Sequence, residues 1–345
     1  MTTVQELDVV VVGAGRAGAV HAVNLTESVA RARVVGVVDA DAAAARALAD
    51  RVGAAGVAAS LEEAIDRLAF DAVVVTTPTF LHRDLAVTAA RAGRHVFCEK
   101  PMALSVDECD EMTAAAEQAG VVLQIGFMRR FQPEFAEARR RIEAGEIGEP
   151  MVVKSLTRGP GLPPPWAWDI DRSNGMLAEV TSHDFDCVRW LVGSDIVRVY
   201  AEVSNRKGRL RGVTNPDFYD NAVVALRFAC DAIGTIDGTC PADYGYDARV
   251  EVLGSEGLLV IGDVRGQALL EVRDRDEGAR VPVHRTWPDR FEAGYLAEMR
   301  AFTGAVLEGT PPAVTGADGR AAVRAVVAAN RSWREERPVS LADAP

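Results

Sequence analysis

The chain has 345 residues, a length typical of two domains. Hydrophobic residues make up 48% of it and charged residues 26%, which is enough apolar material for buried cores. The 38 basic and 50 acidic side chains sum to −12, which argues against nucleic acid or an anionic membrane as the main partner. A phosphate site stays open, because backbone amides at a helix N-terminus bind phosphate without net positive charge.

The five cysteines are widely spaced and include no C-x-x-C pair. This excludes a disulfide scaffold or a zinc ribbon as a first interpretation and is typical of a reducing cytosol. No apolar run reaches the roughly 18 residues of a membrane span, and residues 1–8 lack the basic start of a secretory signal. We therefore expect a cytoplasmic protein with no membrane partner.

The first third of the chain alternates short apolar, β-branched runs with helical patterns. Strands are predicted at 9–12, 34–38, 72–76, 95–98 and 121–125, and helices at 17–25, 41–52, 61–68, 81–92 and 106–119. Strands that are apolar on both faces and separated by helices predict a doubly wound parallel sheet, that is, a Rossmann domain. Two helix starts, Ser60 with Glu63 and Ser105 with Glu108, have the spacing of a capping box.

After Gly126 the pattern changes to helices followed by alternating strands. Helices are predicted at 134–142, 177–191, 291–307 and 318–330, and strands at 197–203, 222–228, 232–237, 249–253, 258–261 and 268–272. This predicts an α+β domain with a large, mostly antiparallel sheet. We place the boundary between residues 127 and 128, giving a cofactor domain at 1–127 and a substrate and oligomerisation domain at 128–345, with the last helix free to pack against the first domain.

A glycine motif follows the first predicted strand and opens a helix. It reads Gly13-Ala14-Gly15-Arg16-Ala17-Gly18, and Asp39 stands at the end of the second predicted strand. Strand, glycines, helix and acidic residue together indicate a dinucleotide site, whereas a structural glycine turn is the alternative. A carboxylate at Asp39 accepts from both ribose hydroxyls and repels a 2′-phosphate, so the motif favours NAD over NADP.

Two loops at strand ends carry further candidate residues. Glu99-Lys100-Pro101 follows the strand at 95–98, and Lys100 is one of three lysines in a chain that otherwise uses arginine. An ammonium at a strand end can bind a substrate oxygen and stabilise developing charge, although a surface lysine is the common alternative. The neighbouring loop, Thr77-Pro78 with His82, is placed to line the nicotinamide side of the cleft.

In the second domain, one predicted helix carries four polar or aromatic residues with helical spacing: Glu179, His183, Asp186 and Trp190. A carboxylate one turn before a histidine fixes the tautomer of the ring and raises its basicity, as a general base requires. A helix-surface pair is the alternative for Glu179 and His183. No His, Cys or Asp set has the spacing of a metal site, so no metal is expected.

Taken together, these motifs resemble the glucose–fructose oxidoreductase, inositol dehydrogenase and MocA family, and most closely its myo-inositol 2-dehydrogenase branch. The resemblance runs through Gly13–Gly18 with His21, Asp39, Thr77-Pro78 with His82, Glu99–Pro101, Gly126–Phe131, Asn174–Leu177, Glu179–Asp186, Tyr244–Asp247, Gly254–Gly257 and Gly309–Pro312.

The resemblance implies a catalytic lysine, acid and histidine, which correspond here to Lys100, Glu179 and His183. The inositol dehydrogenases have Asp at the position of Glu179, and the usual glycine before Gly175 is Asn174. The resemblance also implies an oligomer, dimeric or tetrameric, formed through the large sheet.

The expected reaction is the NAD-dependent oxidation of a secondary ring hydroxyl of a cyclitol or sugar, with His183 as base. Arg129, Asp186 and Tyr244 are candidates for binding substrate hydroxyls, because their donors and acceptors suit a polyol. Three alternatives stay open. The substrate can be a pyranose, an aminocyclitol or a nucleotide-linked sugar; the protein can be a redox-neutral glycosidase with bound NAD; or it can be a nucleotide sensor without catalysis.

Overall fold

The computed structural model describes residues 6–263, 272–274, 278–280 and 283–343. The chain forms two compact units, one of Met1–Phe131 with Ala293–Val323 and one of Gln132–Glu292 with Arg324–Pro345. Among the described residues, no helix combines the length and the apolar character that crossing a membrane requires.

The first unit contains a six-stranded, fully parallel sheet. Its strands are β1 (Leu7–Val12), β2 (Ala32–Val38), β3 (Gly56–Ala58), β4 (Ala72–Val75), β5 (His95–Glu99) and β6 (Leu123–Gly126). The strand order β3-β2-β1-β4-β5-β6 reverses direction between β1 and β4, which confirms the predicted doubly wound fold. The short β3 was not predicted, because three residues are too few for a periodic signal.

Helices separate these strands as expected. They are α1 (Arg16–Glu27), α2 (Ala42–Val52), α3 (Leu61–Arg67), α4 (His82–Arg91) and α5 (Val106–Ala119). Ser60 and Ser105 accept hydrogen bonds from the amides of Glu63 and Glu108, so both predicted caps are confirmed. Each glutamate carboxylate also accepts the amide of the residue before the serine, at 2.8 Å in both cases.

The second unit is built on a seven-stranded, mostly antiparallel sheet, as predicted. Its strands are β7 (Pro150–Arg158), β8 (Ile196–Ser204), β9 (Asn221–Phe228), β10 (Ile233–Thr239), β11 (Asp247–Gly254), β12 (Leu258–Ile261) and β15 (Val339–Ser340), in the order β12-β11-β7-β10-β9-β8-β15. β7 and β10 pair in parallel, and the other pairs are antiparallel. A separate pair joins β13 (Val272–Asp274) to β14 (Gly278–Arg280). Residues 268–271 of the strand predicted at 268–272 lie outside the described residues.

The central strand β7 was missed by the sequence pattern. Its buried face carries Ser155 and Thr157, so the apolar alternation that marks a half-buried strand is interrupted there. The helices of this part of the chain are α6 (Pro133–Glu143), α7 (Ile170–Ser173), α8 (Gly175–Glu179), α9 (Ser182–Val192), α10 (Lys207–Leu210), α11 (Trp287–Glu308) and α12 (Gly316–Glu335).

One face of the large sheet carries a row of exposed apolar side chains. Strand register places Leu258 beside Leu253, Leu253 beside Val152, and Val152 beside Ile233. Three of these four residues are 39–51% exposed, which is high for large apolar side chains in a sheet. The face therefore presents a continuous apolar row across four strands.

Candidate active site

The glycine loop joins β1 to α1, and its three glycines have different surroundings. Gly13 has a φ of +103°, and a Cβ there would lie 2.9 Å from the main chain of Thr76. A Cβ on Gly18 would lie 1.9 Å from the Gly13 carbonyl oxygen, whereas one on Gly15 would meet no described atom within 4 Å. The loop therefore needs glycine for tight packing on one side and is open at Gly15, where a pyrophosphate can approach the backbone.

The acidic residue at the end of β2 closes the other side of this loop. Asp39 Oδ2 accepts from the amide of Ala14 at 2.7 Å, and Oδ1 accepts from the amide of Asp41 at 2.9 Å. Each carboxylate oxygen keeps lone-pair capacity for a ribose hydroxyl. Helix α1 begins at Arg16 and has no acidic residue in its first turn, so its free amides remain favourable to an anion.

The loops after β4 and β5 are tied together by a histidine. His82 is 1% exposed, and its ring nitrogens lie 2.8 Å from the carbonyl oxygens of Pro101 and Thr77. Burial lowers the pKa of His82, and the two carbonyl contacts offset this in part. A neutral imidazole has one N–H, so the ring donates to one of these carbonyls and its other nitrogen lies against the second. In either tautomer the ring packs between the two strand-end loops that carry Thr77 and Lys100.

Further polar groups at this edge of the sheet fit a bound dinucleotide. The hydroxyl of Thr77 is buried and has no hydrogen-bond partner among the described residues. Lys100 is half-buried, and its amide donates to Oε2 of Glu99 at 3.0 Å. The open backbone at Gly15 and the remaining acceptor capacity of Asp39 complete a donor and acceptor set that suits NAD.

The predicted helix over 177–191 is wrong as a single element. α8 ends at Glu179, and α9 begins at Ser182. Thr181 causes the break: its amide bonds to the Met176 carbonyl, and its hydroxyl donates to the Leu177 carbonyl at 2.8 Å. Glu179 and His183 therefore belong to two different helices, on either side of a turn.

The pocket for Thr181 is provided by the sheet. A Cβ on Gly238 of β10 would lie 2.4 Å from Cγ2 of Thr181. Because Gly238 has no side chain, the turn between α8 and α9 lies directly on the sheet. His183 follows in the first turn of α9 and is 5% exposed, while Asp186 is 2% exposed and Glu179 is half-buried.

A buried carboxylate anchors α9 to β7. Asp184 is 0% exposed and accepts from the hydroxyls of Ser155 at 2.5 Å and Thr157 at 2.7 Å. Ser155 and Thr157 also interrupt the apolar alternation of β7, which is why the sequence pattern did not predict this strand. The anchor fixes the first turn of α9, and with it the backbone of the neighbouring His183.

Asn174 stands where the family resemblance gives a glycine, and its backbone conformation suits asparagine. Asn174 has a φ of +58°, a conformation that asparagine tolerates better than most non-glycine residues. Its carbonyl accepts from Asn330 of α12 at 2.9 Å, and Asn330 accepts from the Tyr219 hydroxyl at 2.8 Å. Tyr219 and Asn330 support the start of α8. Sequence reasoning missed both, since they lie far from any motif.

Two predicted substrate-binding residues differ in exposure. Arg129 is 1% exposed in the first unit, whereas Tyr244 is 50% exposed in the second. The Tyr244 hydroxyl donates to Asp247 Oδ2 at 2.9 Å. Partial burial and this hydrogen bond raise the pKa of Tyr244 to about 12, so the hydroxyl stays neutral.

Comparison with known proteins identifies the class of protein. Residues 7–127 match the model of an oxidoreductase family with an NAD-binding Rossmann fold, and residues 135–260 match the GFO/IDH/MocA C-terminal domain. The matching descriptions agree with the open glycine loop and the carboxylate of Asp39. The chain is thus an NAD-dependent oxidoreductase.

Full-length relatives define the family more closely. The chain is 35% identical to the scyllo-inositol 2-dehydrogenase (NAD(+)) of Bacillus subtilis over 96% of this chain and 95% of that protein. It is 38% identical to an inositol 2-dehydrogenase of Rhizobium meliloti, over 96% and 98% of the two chains. GenD2 from gentamicin A biosynthesis, solved in complex with NAD, superposes with a TM-score of 0.87 at 32% identity, over 99% and 97%. The chain belongs to the GFO/IDH/MocA family, which confirms the resemblance seen in its motifs.

We expect Asp184→Ala to lower the free energy of unfolding by about 3–5 kcal/mol, because two buried hydroxyls lose a charged acceptor. Asp195→Ala is the matched control, since Asp195 pairs with Arg189 at the surface and such pairs contribute about 1 kcal/mol or less. Urea unfolding of both variants measures the difference. Equal losses would show that Asp184 does not anchor α9.

Proposed function

We propose that this protein is an NAD-dependent dehydrogenase that oxidises a secondary ring hydroxyl of a cyclitol or sugar. The observation that carries this proposal is the pairing of an open glycine loop and a ribose-binding carboxylate, Asp39, with Lys100 at a neighbouring strand end. The full-length similarity to inositol 2-dehydrogenases at 35% and 38% identity supports an inositol as the first substrate to test.

The cofactor-binding residues are proposed to lie in the first unit. Gly13 would shape the turn, since its amide donates to the Val38 carbonyl at 2.8 Å, and the amides at Gly15, Arg16, Ala17 and Gly18 would hold the pyrophosphate. Asp39 would bind the adenosine ribose, and Thr77, Pro78, His82, Glu99 and Lys100 would line the nicotinamide end. His82 would act there through the loops that it joins, because its ring nitrogens already contact carbonyl oxygens. We propose a functional division at residues 127 and 128, with the substrate and oligomer surfaces in 128–345.

The proposed chemistry divides among three catalytic residues. His183 accepts the proton of the substrate hydroxyl, and the Lys100 ammonium donates a hydrogen bond to the same oxygen and stabilises the developing alkoxide. Glu179 orients and supports His183 from across the turn that separates α8 from α9. NAD, when bound, supplies the acceptor for the hydride of the carbinol carbon.

Three residues are proposed to contact substrate hydroxyls: Arg129, Asp186 and Tyr244. The Tyr244 hydroxyl donates to Asp247, so its oxygen remains available as an acceptor for a polyol. Pyranoses and aminocyclitols stay beside inositols as candidate substrates, and the similarity to GenD2, from gentamicin A biosynthesis, supports testing substrates other than inositols. A cytoplasmic location is also proposed, since all five cysteines are free thiols.

We further propose that the protein is a homo-oligomer, dimeric or tetrameric, that associates through the open face of the large sheet. The apolar row of Leu258, Leu253, Val152 and Ile233 supports this, because monomers rarely leave such a continuous apolar surface in water.

We expect light scattering to give a mass of two or four chains, and Leu258→Asp to shift it toward smaller species. A carboxylate in the apolar row would have to be desolvated on association. The control is Leu210→Asp, because Leu210 is 86% exposed outside the sheet. A monomeric wild type, or equal shifts in both variants, would contradict the proposal.

The first measurement is NADH formation by the purified protein with NAD or NADP across inositol isomers, aminocyclitols and simple pyranoses. We expect turnover of an inositol with NAD and little with NADP, because Asp39 repels a 2′-phosphate. If no compound of the panel is turned over while NAD is still bound, the result would favour a larger derivatised sugar as substrate or the function of a redox-neutral glycosidase.

We expect Lys100→Met to lower turnover by about 10²-fold or more while NAD affinity changes little, since the lost donor acts on the reacting oxygen. Lys154→Met serves as the control, because Lys154 forms an exposed ion pair with Glu251 at 2.8 Å. Steady-state kinetics and NAD titration measure both effects. Wild-type turnover in Lys100→Met would remove Lys100 from the mechanism.

A further inference from the structure

Three ionisable side chains from different elements of the first unit meet in its interior. They are His21 of α1, Glu99 at the end of β5 and Glu298 of α11, and they are 0%, 6% and 0% exposed. One nitrogen or oxygen of each lies within 4.8 Å of those of the other two. The motifs of the sequence include His21 and Glu99, but nothing in them pointed to Glu298.

Glu99 is well supplied with donors. Its Oε1 lies 2.7 Å from Nε2 of His21, and its Oε2 accepts the amide of Lys100 at 3.0 Å. Burial tends to raise the pKa of Glu99, but the hydrogen bond and charge of His21, with a contribution from Lys100, lower it overall. Glu99 is therefore the ionised member of the cluster, and its position fixes the main chain at Lys100.

Glu298 has the opposite surroundings. Among the described residues, no hydrogen bond reaches either of its carboxyl oxygens. Met299 and Phe302 of the same helix belong to the hydrophobic core, and the His21 ring packs against Phe97 at 5.1 Å. Burial, followed by the charge of Glu99, raises the pKa of Glu298 well above its ordinary value. Two neighbouring buried carboxyls cannot both be ionised at low cost.

Four elements present polar or ionisable groups around this position: α1 with His21, β5 with Glu99 followed by Lys100, β6 with Gln124, and α11 itself with Tyr295. The side-chain amide of Gln124 donates to the main-chain oxygen of Glu298 at 3.1 Å, and the ring of Tyr295 packs on that of His21 at 5.6 Å. Among the groups on these four elements, Glu99 is therefore the carboxyl that competes with Glu298 for a negative charge.

We propose that Glu298 is held as a neutral carboxylic acid, and that with His21 and Glu99 it forms a buried cluster that positions Lys100. The proton stays on Glu298 while Glu99 remains ionised and accepts from both His21 and the Lys100 amide. Glu298 is a positioning residue, since it acts on Lys100 through Glu99. The catalytic consequence rests on the role proposed for Lys100, whereas the protonation and the backbone anchor do not.

The protonation is tested by Glu298→Gln, a neutral isostere, with Glu308→Gln as the matched control on the exposed end of α11. A carboxyl with a raised pKa in the folded state costs no stability below its unfolded pKa of about 4.3, and stability falls as pH rises toward the folded pKa. We expect the ratio of the unfolding constants of wild type and Glu298→Gln to rise about tenfold per pH unit above that value. A flat ratio, as expected for Glu308→Gln, would overturn the proposal.

Infrared spectroscopy provides a second readout that does not depend on unfolding. We expect the C=O band of a protonated carboxyl in the wild type at neutral pH, retained in Glu308→Gln and lost in Glu298→Gln. One equivalent of a metal ion in the purified wild type, absent from Glu298→Gln, would overturn the neutral acid in favour of a metal held by the same three side chains.

The positioning is tested by hydrogen exchange at the Lys100 amide in Glu298→Ala and Glu298→Gln. We expect faster exchange in the alanine variant, because Glu99 loses a packed neighbour, and wild-type protection in the glutamine variant. If Glu298→Ala does not fold, Glu298→Gln alone decides through the pH slope and the infrared band. Unchanged exchange in Glu298→Ala would overturn the positioning role.

Activity supplies a separate consequence. In the dehydrogenase assay we expect Glu298→Ala to lower kcat by tenfold or more with KM for NAD little changed, and Glu298→Gln to restore it. An enzyme that oxidises none of the tested alcohols would contradict the proposed function, whereas the exchange and infrared results would still decide the cluster.

Discussion

Parallel pairing of β1, β4 and β5 is the constraint on which the candidate cofactor site depends. Parallel strands end at the same edge of their sheet, so the loops that follow them meet there. Gly13–Gly18 follows β1, Thr77 follows β4 and Lys100 follows β5, although these residues are far apart in the chain. His82 then ties two of the loops together through the Thr77 and Pro101 carbonyls. The fold therefore brings these three loops to one edge of the sheet.

Buried polar groups fix the positions of α8, α9 and β7 in the second unit. Asp184 joins α9 to β7 through two hydroxyls, and Thr181 turns the chain between α8 and α9 by bonding to the preceding helix. Such groups are costly to bury without partners, so each one that is satisfied specifies a single arrangement. The position of His183 thus follows from an anchor on the next residue and a turn two residues earlier.

The first unit uses burial differently. His21, Glu99 and Glu298 place three ionisable groups in a core where charge is expensive, and the donors divide unequally between the two carboxyls. The unequal division gives the two glutamates different protonation states. Together, the hydrogen bonds of Glu99 and the apolar surroundings of Glu298 make one carboxylate a backbone anchor and the other a neutral acid.

The sequence by itself determined the Rossmann sheet, the helix caps at Ser60 and Ser105, the glycine loop with Asp39 and the antiparallel character of the second sheet. These depend on local periodicity, turn chemistry and short motifs, which act over a few residues. Only the tertiary structure decided that the helix over 177–191 breaks at Thr181, that β7 is central and that Glu298 meets Glu99. The reason in each case is a partner distant in sequence: Gly238 makes room for Thr181, Asp184 satisfies the polar face of β7, and α11 brings Glu298 to α1 and β5.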